Sequence, residues 1–368
     1  MEYVQERVTT LHDLSGTVPD APTDRAAVVV PMTEREYAGL AAERVLSTLE
    51  SLSPARVVVP LRAPADRVVP FVDWLADFDL PLDVLWCDGP RVADLLEESG
   101  IDGVRGKGRD VWLALGVAAD EDYVVVHDAD TKTYDERYVS RLLFPLAHGH
   151  DFSKGYYARV EDGNLYGRLF RLFYAPLVRT LADETDAPIV HYLESFRYAL
   201  AGEFAMTGDL ALQMRSPRDW GLEVGTLGDA FAHAGFERSA QVDLGAYEHD
   251  HRAVSGPTGL SDMSESVGRT LLQTVVEHGG TPDFETLAER YRETGFQFVE
   301  QYAADAAFND FDYDRAGERE QVETYAQAVV EPGDDTRLPA WNDAPLSPAD
   351  VLAAARADID AVRGEVGR

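Results

Sequence analysis

Lysine is nearly absent from this sequence of 368 residues. The 33 basic residues include only Lys107, Lys132 and Lys154, and the rest are arginines. Against them stand 66 acidic residues, which leaves a formal net charge of −33. This charge argues against binding to nucleic acid or to an anionic lipid surface. An acidic chain with so little lysine is typical of molar salt, where charges are screened within about 3 Å, and we therefore predict a halophilic source.

Cysteine and long apolar segments are scarce as well. The single cysteine, Cys87, excludes an internal disulfide and a multi-cysteine zinc site. No run of 18 apolar residues occurs, and the first thirty residues lack the pattern of a signal peptide. We expect a cytoplasmic protein without a membrane span. Apolar residues still make up 45% of the chain, which is enough for a folded core.

Short β-branched segments alternate with helical periodicity in the first 130 residues, a pattern typical of βαβ winding. Strands are expected at residues 26–31, 56–60, 82–86 and 122–127, and helices at residues 37–52, 68–78, 91–99 and 109–118. Beyond them, strands are expected at residues 152–159 and 241–247, and helices at residues 135–147, 165–183 and 262–277. We predict an α/β fold and divide the chain into an N-terminal arm (1–25), a main domain (26–260) and an acidic helical C-terminal extension (261–368).

The strand at 122–127 runs directly into Asp128-Ala129-Asp130. Ligands of open α/β sheets bind beyond the carboxyl ends of the strands. Protein-bound Mg²⁺ is usually held by one or two carboxylates together with phosphate oxygens. The motif therefore indicates a divalent cation that bridges to a diphosphate, although a solvated turn in an acidic chain has the same appearance.

Four other segments carry candidate residues. Residues 103–109 form a glycine-rich basic loop in which Lys107 would face a phosphate group at a helix start, unless the loop is only a flexible turn. Either His249 or His251 could complete a metal site with Asp130, or both belong to a surface loop. The acids Glu203 and Glu223 lie among apolar and glycine residues, as active-site acids or helix caps do.

In this order, the segments resemble those of the retaining glycosyltransferases that make glucosyl-3-phosphoglycerate, and more distantly of the mannosyl-3-phosphoglycerate synthases. The resemblance covers residues 28–252 and rests on GKGRDVWLAL, VVVHDAD, LLFPLAHG, FSKGYYAR, GRLFRLFYAPLV, AGEFA, WGLEVGTL and LGAYEHDHR. It implies a GT-A fold, which is a Rossmann-like nucleotide-sugar-binding domain with a mixed central sheet. It also implies that sugar transfer retains the anomeric configuration, without a separate catalytic base.

The resemblance also implies roles for individual residues. A Mg²⁺ or Mn²⁺ ion would be held by Asp130 and His249. The catalytic group would comprise Asp130, Glu223 and Lys107. The donor would be bound by Pro31, Glu36, Lys107, Asp128, Ala129, Asp130 and Glu203. On the acceptor side, Arg168 matches the family arginine that grips the phosphate of 3-phosphoglycerate. Phe170 and His251 are also expected to bind the acceptor, but they stand where the family has polar residues, an asparagine in the case of His251, which could mean a different acceptor.

Two donor-side segments depart from the family pattern. Residues 31–36 read PMTERE where the family has PALNEE, so Glu36 is kept and the asparagine is lost. Residues 60–64 lack the acidic, serine-rich run that lies near the base in the family. The donor is accordingly expected to be a UDP- or GDP-hexose, with the base left open.

We predict a metal-dependent retaining transferase that moves a hexose to 3-phosphoglycerate or to a related small phosphorylated or carboxylated acceptor, for osmolyte synthesis. One alternative is a GT-A enzyme acting on a polyprenyl phosphate or a glycan, because a fold does not determine the acceptor. Another is a non-catalytic nucleotide-sugar-binding or scaffold protein. A homodimer is also expected.

Overall fold

A nine-stranded mixed sheet forms the centre of the computed structural model, which describes residues 5–248, 250 and 257–366. The strands are β1 (Thr9–Leu11), β2 (Ala26–Val29), β3 (Met32–Thr33), β4 (Arg56–Arg62), β5 (Leu82–Trp86), β6 (Tyr123–Val126), β7 (Phe152–Ala158), β8 (Val160–Glu161), β9 (Asn164–Leu165), β10 (Phe204–Thr207) and β11 (Ser239–Ala246). The main sheet has the order β1-β11-β7-β10-β6-β2-β4-β3, with β5 also paired to β4. Strands β8 and β9 form a separate hairpin.

Helices surround this sheet and make up most of the chain after residue 260. They are α1 (Leu40–Leu52), α2 (Ala65–Leu75), α3 (Pro90–Glu98), α4 (Lys107–Ala118), α5 (Arg137–Ala147), α6 (Ala175–Ala182), α7 (Pro188–Glu194), α8 (Gly208–Ala211), α9 (Leu222–His233), α10 (Pro257–Glu277), α11 (Leu287–Phe308), α12 (Arg315–Tyr325) and α13 (Pro348–Val366). A π-helix, Leu169–Tyr174, leads directly into α6. None of the described helices is long and apolar enough to cross a bilayer.

The parallel half of the sheet follows from its β-branched segments. Strands β2, β4 and β6 run parallel, with Val28 opposite both Val57 and Val125. These valines are fully buried, as expected for strands covered on both faces by helices. The α/β class and the mixed sheet predicted from the sequence are confirmed. Parallel strands end at the same edge, so the residues after β2 and those after β6 lie side by side.

Strand β10 was not predicted from the sequence. It runs antiparallel between β6 and β7, with Phe204 opposite Val126 on one side and Lys154 on the other. Because of this direction, the start of β10 lies where β6 ends. Glu203, which precedes the strand, is thereby brought to the same edge of the sheet as Asp128.

The helix predicted at residues 165–183 begins only at Leu169, and the prediction was wrong for its first turn. Asn164 and Leu165 belong to β9 instead. Gly167 then takes a φ of 76°, in the left-handed region that an L side chain rarely adopts. This turn directs the chain from the hairpin into the π-helix. Such helices are rare and often lie at functional sites.

The C-terminal residues share the main hydrophobic core. Trp341 stacks on Trp112 of α4 with 4.1 Å between ring centroids, and its Nε1 donates to the Trp112 carbonyl over 2.7 Å. At the start of α3, the buried Asp358 of α13 accepts from the backbone nitrogens of Arg91 and Val92 over 2.9 and 3.3 Å. The C-terminal helices are thus bonded to the sheet-bearing part, and the division at residue 260 stays a prediction.

Candidate active site

A lysine between two carboxylates marks the carboxyl-end edge of the sheet. Lys107 opens α4, Asp128 follows β6 and Glu223 lies in the first turn of α9. The Lys107 Nζ lies 2.7 Å from Asp128 Oδ1 and 3.2 Å from Glu223 Oε1. Burial alone would lower the pKa of Lys107, but the two carboxylates outweigh it and raise that pKa. Lys107 therefore carries a permanent positive charge at this edge.

The glycines beside Lys107 allow this contact to form. A Cβ atom at Gly108 would lie 1.8 Å from the Pro217 carbonyl oxygen, and one at Gly106 would lie 2.6 Å from the Arg218 oxygen. The backbone nitrogen of Arg109 also donates to the Arg218 oxygen over 3.0 Å. The segment before α9 can thus press against the start of α4, which brings Glu223 to Lys107. Residues 106–109 of the loop are thus packed and residues 103–105 are exposed; the contact of this loop with a phosphate group stays a prediction.

A second pair of charged groups lies buried beneath the first. Glu203 is fully buried, and its Oε2 accepts from the Tyr157 hydroxyl over 2.8 Å. Burial, reinforced by the charge of Asp128, raises the pKa of Glu203 to about 7. Lys154 is also buried, and its Nζ donates to the Ala201 carbonyl over 2.6 Å. Burial lowers the pKa of Lys154 to about 8, against the opposing attraction of Glu223 and Glu203.

The sequence pointed to Lys154 only indirectly, because all three lysines fall between residues 107 and 154. The structure places Lys107 and Lys154 in one electrostatic cluster, since each influences the other's acidic neighbours. The side chain of Lys132 is exposed. The clustering of the lysines in the sequence therefore reflected a place in the candidate site for Lys107 and Lys154, but not for Lys132.

Asp130 lies in the loop after β6, next to the segment that contains His249. The backbone nitrogen of Lys132 donates to the Glu248 oxygen over 2.8 Å, and that of Asp250 donates to the Asp130 oxygen over 2.9 Å. The residues on both sides of position 249 are thus bonded to the Asp130 loop. His249 and His251 themselves lie outside the described residues.

The electrostatics at Asp130 fit a divalent cation. Burial raises the pKa of Glu36, and the charge of Asp130 raises it further. Burial also raises the pKa of Tyr247 well above its usual value, with added contributions from Glu203, Asp128 and Asp130. Both shifts show that negatively charged carboxylates lie close together here. Carboxylate oxygens are the ligands that Mg²⁺ prefers. Among the described residues, no three acid, histidine or cysteine side chains converge on one point.

The other predicted donor residues lie around this edge. Glu36 forms a capping box, because its Oε2 accepts from the backbone nitrogen and the hydroxyl of Thr33 over 2.5 and 2.7 Å. Pro31 is partly buried just after β2, and Ala129 is buried between the two aspartates of the motif. The structure thus places Pro31 and Ala129 just after β2 and β6, and Glu36 in the short 3-10 helix that follows β3.

On the acceptor side, Arg168 precedes the π-helix and its side chain is 47% exposed. Phe170 lies two residues further along, with its ring centroid 4.8 Å from that of Tyr198. Tyr198 lies 5.0 Å from Tyr157, which stacks on Tyr247 at 3.9 Å. An aromatic row therefore leads from Phe170 to the tyrosine that binds Glu203. The sequence reasoning missed these three tyrosines, although all but Tyr198 lie in segments that carried the resemblance.

No protein-family model matches the chain. Curated proteins do match. The chain is 35% identical to the glucosyl-3-phosphoglycerate synthase of Methanococcoides burtonii, over 381 aligned positions and 94% of both chains. It is 34% identical to the enzyme of the same name from Persephonella marina, over 82% of this chain and 79% of that one.

Solved structures of glucosyl-3-phosphoglycerate synthase from Mycobacterium tuberculosis share the fold. A complex with Mg²⁺ and UDP superimposes with a TM-score of 0.56 at 25% identity, over 75% of this chain and 89% of that one. A complex with Mn²⁺, UDP-glucose and phosphoglyceric acid gives a TM-score of 0.56 at 26% identity, over 76% and 89% of the two chains. From the identity along nearly its whole length and from the shared mixed-sheet fold, the chain belongs to the glucosyl-3-phosphoglycerate synthases, a family of metal-dependent glycosyltransferases.

Proposed function

We propose that this protein transfers glucose from UDP-glucose to 3-phosphoglycerate with the help of Mg²⁺ or Mn²⁺. The observation that carries the proposal is the bridge from Lys107 to Asp128 and Glu223 at the carboxyl-end edge of the sheet. Related enzymes have been crystallised with UDP-glucose, phosphoglyceric acid and Mn²⁺ together. These ligands support uracil as the base and glucose as the sugar, both of which the sequence had left open.

On the donor side, Asp130 and His249 are the proposed ligands of the ion, and Asp128 the proposed contact of the ribose. The bound ion would offset the charge that develops on the leaving diphosphate. Lys107 supplies a second, permanent positive charge at the same place. Glu223, held by Lys107, is proposed to accept a hydrogen bond from a hydroxyl of the sugar or of the acceptor.

The remaining donor residues would shape the pocket. Glu203 is proposed to stabilise the buried base of the donor pocket through its hydrogen bond with Tyr157. Pro31, Glu36 and Ala129 would line the loops around the nucleotide. On the acceptor side, we assign the phosphate to Arg168, and the glycerate end to Phe170 and His251.

The two alternative functions are less well supported, one because of the packing of the site and the other because of the relatives. A scaffold protein would have no need for a lysine held between two carboxylates by loops pressed within 3.0 Å of each other. A polyprenyl phosphate or glycan acceptor is less well supported than 3-phosphoglycerate, which the full-length relatives carry in their names. A homodimer, a cytoplasmic location and a role in osmolyte synthesis stay predictions.

Replacing Arg168 by alanine tests the acceptor assignment. A guanidinium bound to phosphate contributes roughly 1.5 to 3 kcal/mol, so the KM for 3-phosphoglycerate should rise about tenfold to a hundredfold. The KM for UDP-glucose should change little. Arg179→Ala serves as the matched control, since Arg179 lies on the following helix with its side chain 57% exposed. An unchanged acceptor KM in Arg168→Ala would remove Arg168 from the acceptor site.

The net charge makes a separate prediction about salt. Repulsion among the acidic residues is screened less as salt is removed. The melting temperature should therefore fall steadily as KCl is lowered from about 3 M to below about 0.5 M, as differential scanning calorimetry would show. A melting temperature that stays flat over this range contradicts the halophilic origin.

A further inference from the structure

Two arginines on the acceptor side share one glutamate that comes from the C-terminal part of the chain. Arg171 lies in the π-helix, and its Nη1 and Nη2 donate to the two carboxylate oxygens of Glu318 over 3.1 and 2.7 Å. The Nε of Arg168 lies 3.6 Å from Glu318 Oε1. Glu318 belongs to α12, and its side chain is only 4% exposed.

Protein groups engage all three guanidinium nitrogens of the buried Arg171. Its Nε donates to the Tyr166 oxygen over 3.0 Å, and its Nη2 also donates to the Leu165 oxygen over 3.2 Å. The guanidinium lies over the ring of Tyr302 at 4.7 Å from its centroid. Arg171 therefore ties Glu318 to the hairpin that precedes Arg168, and its role is to hold the carboxylate in place.

Arg168 is held quite differently. Its recorded contact with Glu318 is the 3.6 Å between Nε and Oε1, and within the described part of the chain its side chain makes no hydrogen bond to protein. The side chain is half exposed, so its terminal nitrogens can meet a ligand. An ion-pair contact at one edge of the guanidinium restricts the orientations of its fork, which lowers the entropy lost when it binds a phosphate.

The segment that leads into α12 strengthens this connection. The backbone nitrogen of Asp312 donates to the Gly163 oxygen over 3.1 Å, at the tip of the β8–β9 hairpin. The C-terminal part thus contacts the hairpin at its tip and at its base. Displacing α12 would disturb the position of Arg168 even though α12 carries none of the predicted acceptor residues.

We propose that Glu318 is a positioning residue for the acceptor: through Arg171 and the Nε of Arg168, it aims the terminal nitrogens of Arg168 at the acceptor phosphate. This inference rests on the proposed function, in which Arg168 binds that phosphate. It gives the C-terminal part of the chain a role in acceptor recognition. A glutamate acting only as a counter-charge would have the opposite effect, because it would weaken the attraction between Arg168 and an anion.

The test is a double-mutant cycle with Glu318→Gln and Arg168→Ala in the full-length enzyme. Glu318→Gln removes the charge and keeps the shape. Alone, it should raise the KM for 3-phosphoglycerate about fivefold to tenfold, with the KM for UDP-glucose unchanged. When Arg168 is already alanine, Glu318→Gln should change the acceptor KM by less than about twofold.

Asp358→Asn is the matched control. Asp358 is another buried carboxylate of the C-terminal part that binds an arginine, Arg91, but it caps α3. It should lower the melting temperature and leave the acceptor KM unchanged. If Glu318→Gln does not fold, Glu318→Asp keeps the charge, withdraws the carboxylate by about 1.5 Å and should raise the acceptor KM in the same way.

The outcomes separate the inference from the proposed function. If Glu318→Gln lowers the acceptor KM, or raises it equally with and without Arg168, Glu318 does not act through Arg168 and the inference is overturned. If Arg168→Ala itself leaves the acceptor KM unchanged, the acceptor assignment of the proposed function fails first. A rise in acceptor KM that appears only when Arg168 is present supports both.

Discussion

Replacing Asp130 with alanine is expected to reduce glucosyl transfer about a thousandfold or more, with little loss of stability. Asp130 lies at the carboxyl end of β6, where its negative charge raises the pKa of the neighbouring Glu36. Its removal would take away a proposed ligand of the divalent ion and the charge that attracts this ion. The measurement is the initial rate of product formation over a range of Mn²⁺ concentrations.

Asp122→Ala provides the control for this experiment. Asp122 lies before the other end of β6, and its exposed carboxylate pairs with Arg25 over 2.6 Å. It should keep the parent rate, because exposed pairs contribute only about 0 to 1 kcal/mol to stability. Near-parent activity in Asp130→Ala, at any Mn²⁺ concentration, would contradict the metal assignment.

Replacing Lys107 with alanine should reduce kcat/KM for UDP-glucose about a hundredfold to a thousandfold. The change removes the only cation that lies between Asp128 and Glu223 in the described structure. The two carboxylates would then repel each other and the donor diphosphate. Both are partly buried, so the melting temperature should fall as well.

Steady-state kinetics at varied UDP-glucose would check this prediction, with Lys132→Ala as the control. Lys132 follows the same strand as Asp128, but its side chain is exposed, and its loss should leave both KM values unchanged. If Lys107→Ala keeps the parent kcat/KM for the donor, the glycine-rich basic loop at residues 103–109 does not belong to the active site.

The parts of the fold that could be predicted from the sequence are those with a local sequence signal. Runs such as residues 26–30 and 123–126 are apolar and β-branched, and their burial on both faces depends on composition alone. Strand β10 spans only four residues and follows a glycine and an acid, so it lacked such a signal. Its position between β6 and β7 depends on pairing with strands about 50 and 80 residues away.

The candidate site divides in a similar way. The resemblance picked out Lys107, Asp128 and Glu223, and the structure brings all three together. The sequence did not show why these residues meet, because their contact depends on how the segment before α9 packs against Gly106 and Gly108. Lys154 was marked only by the clustering of the three lysines, and Glu318 was missed because its contact with Arg171 joins distant parts of the chain. Glu318 is separated from Arg171 by 147 residues, and nothing local marks it as different from the other acids of an acidic helix.

The most direct test of the account is to incubate the protein with UDP-glucose and 3-phosphoglycerate in about 3 M KCl and to follow the products by NMR. With Mg²⁺ or Mn²⁺ present, the account predicts UDP and a glucosyl-3-phosphoglycerate whose anomeric proton shows the α configuration of the donor. Removing the metal with EDTA should stop the reaction, and adding it back should restore it. If 3-phosphoglycerate remains unglucosylated with either metal at every salt concentration, while the protein stays folded, the proposed function is contradicted.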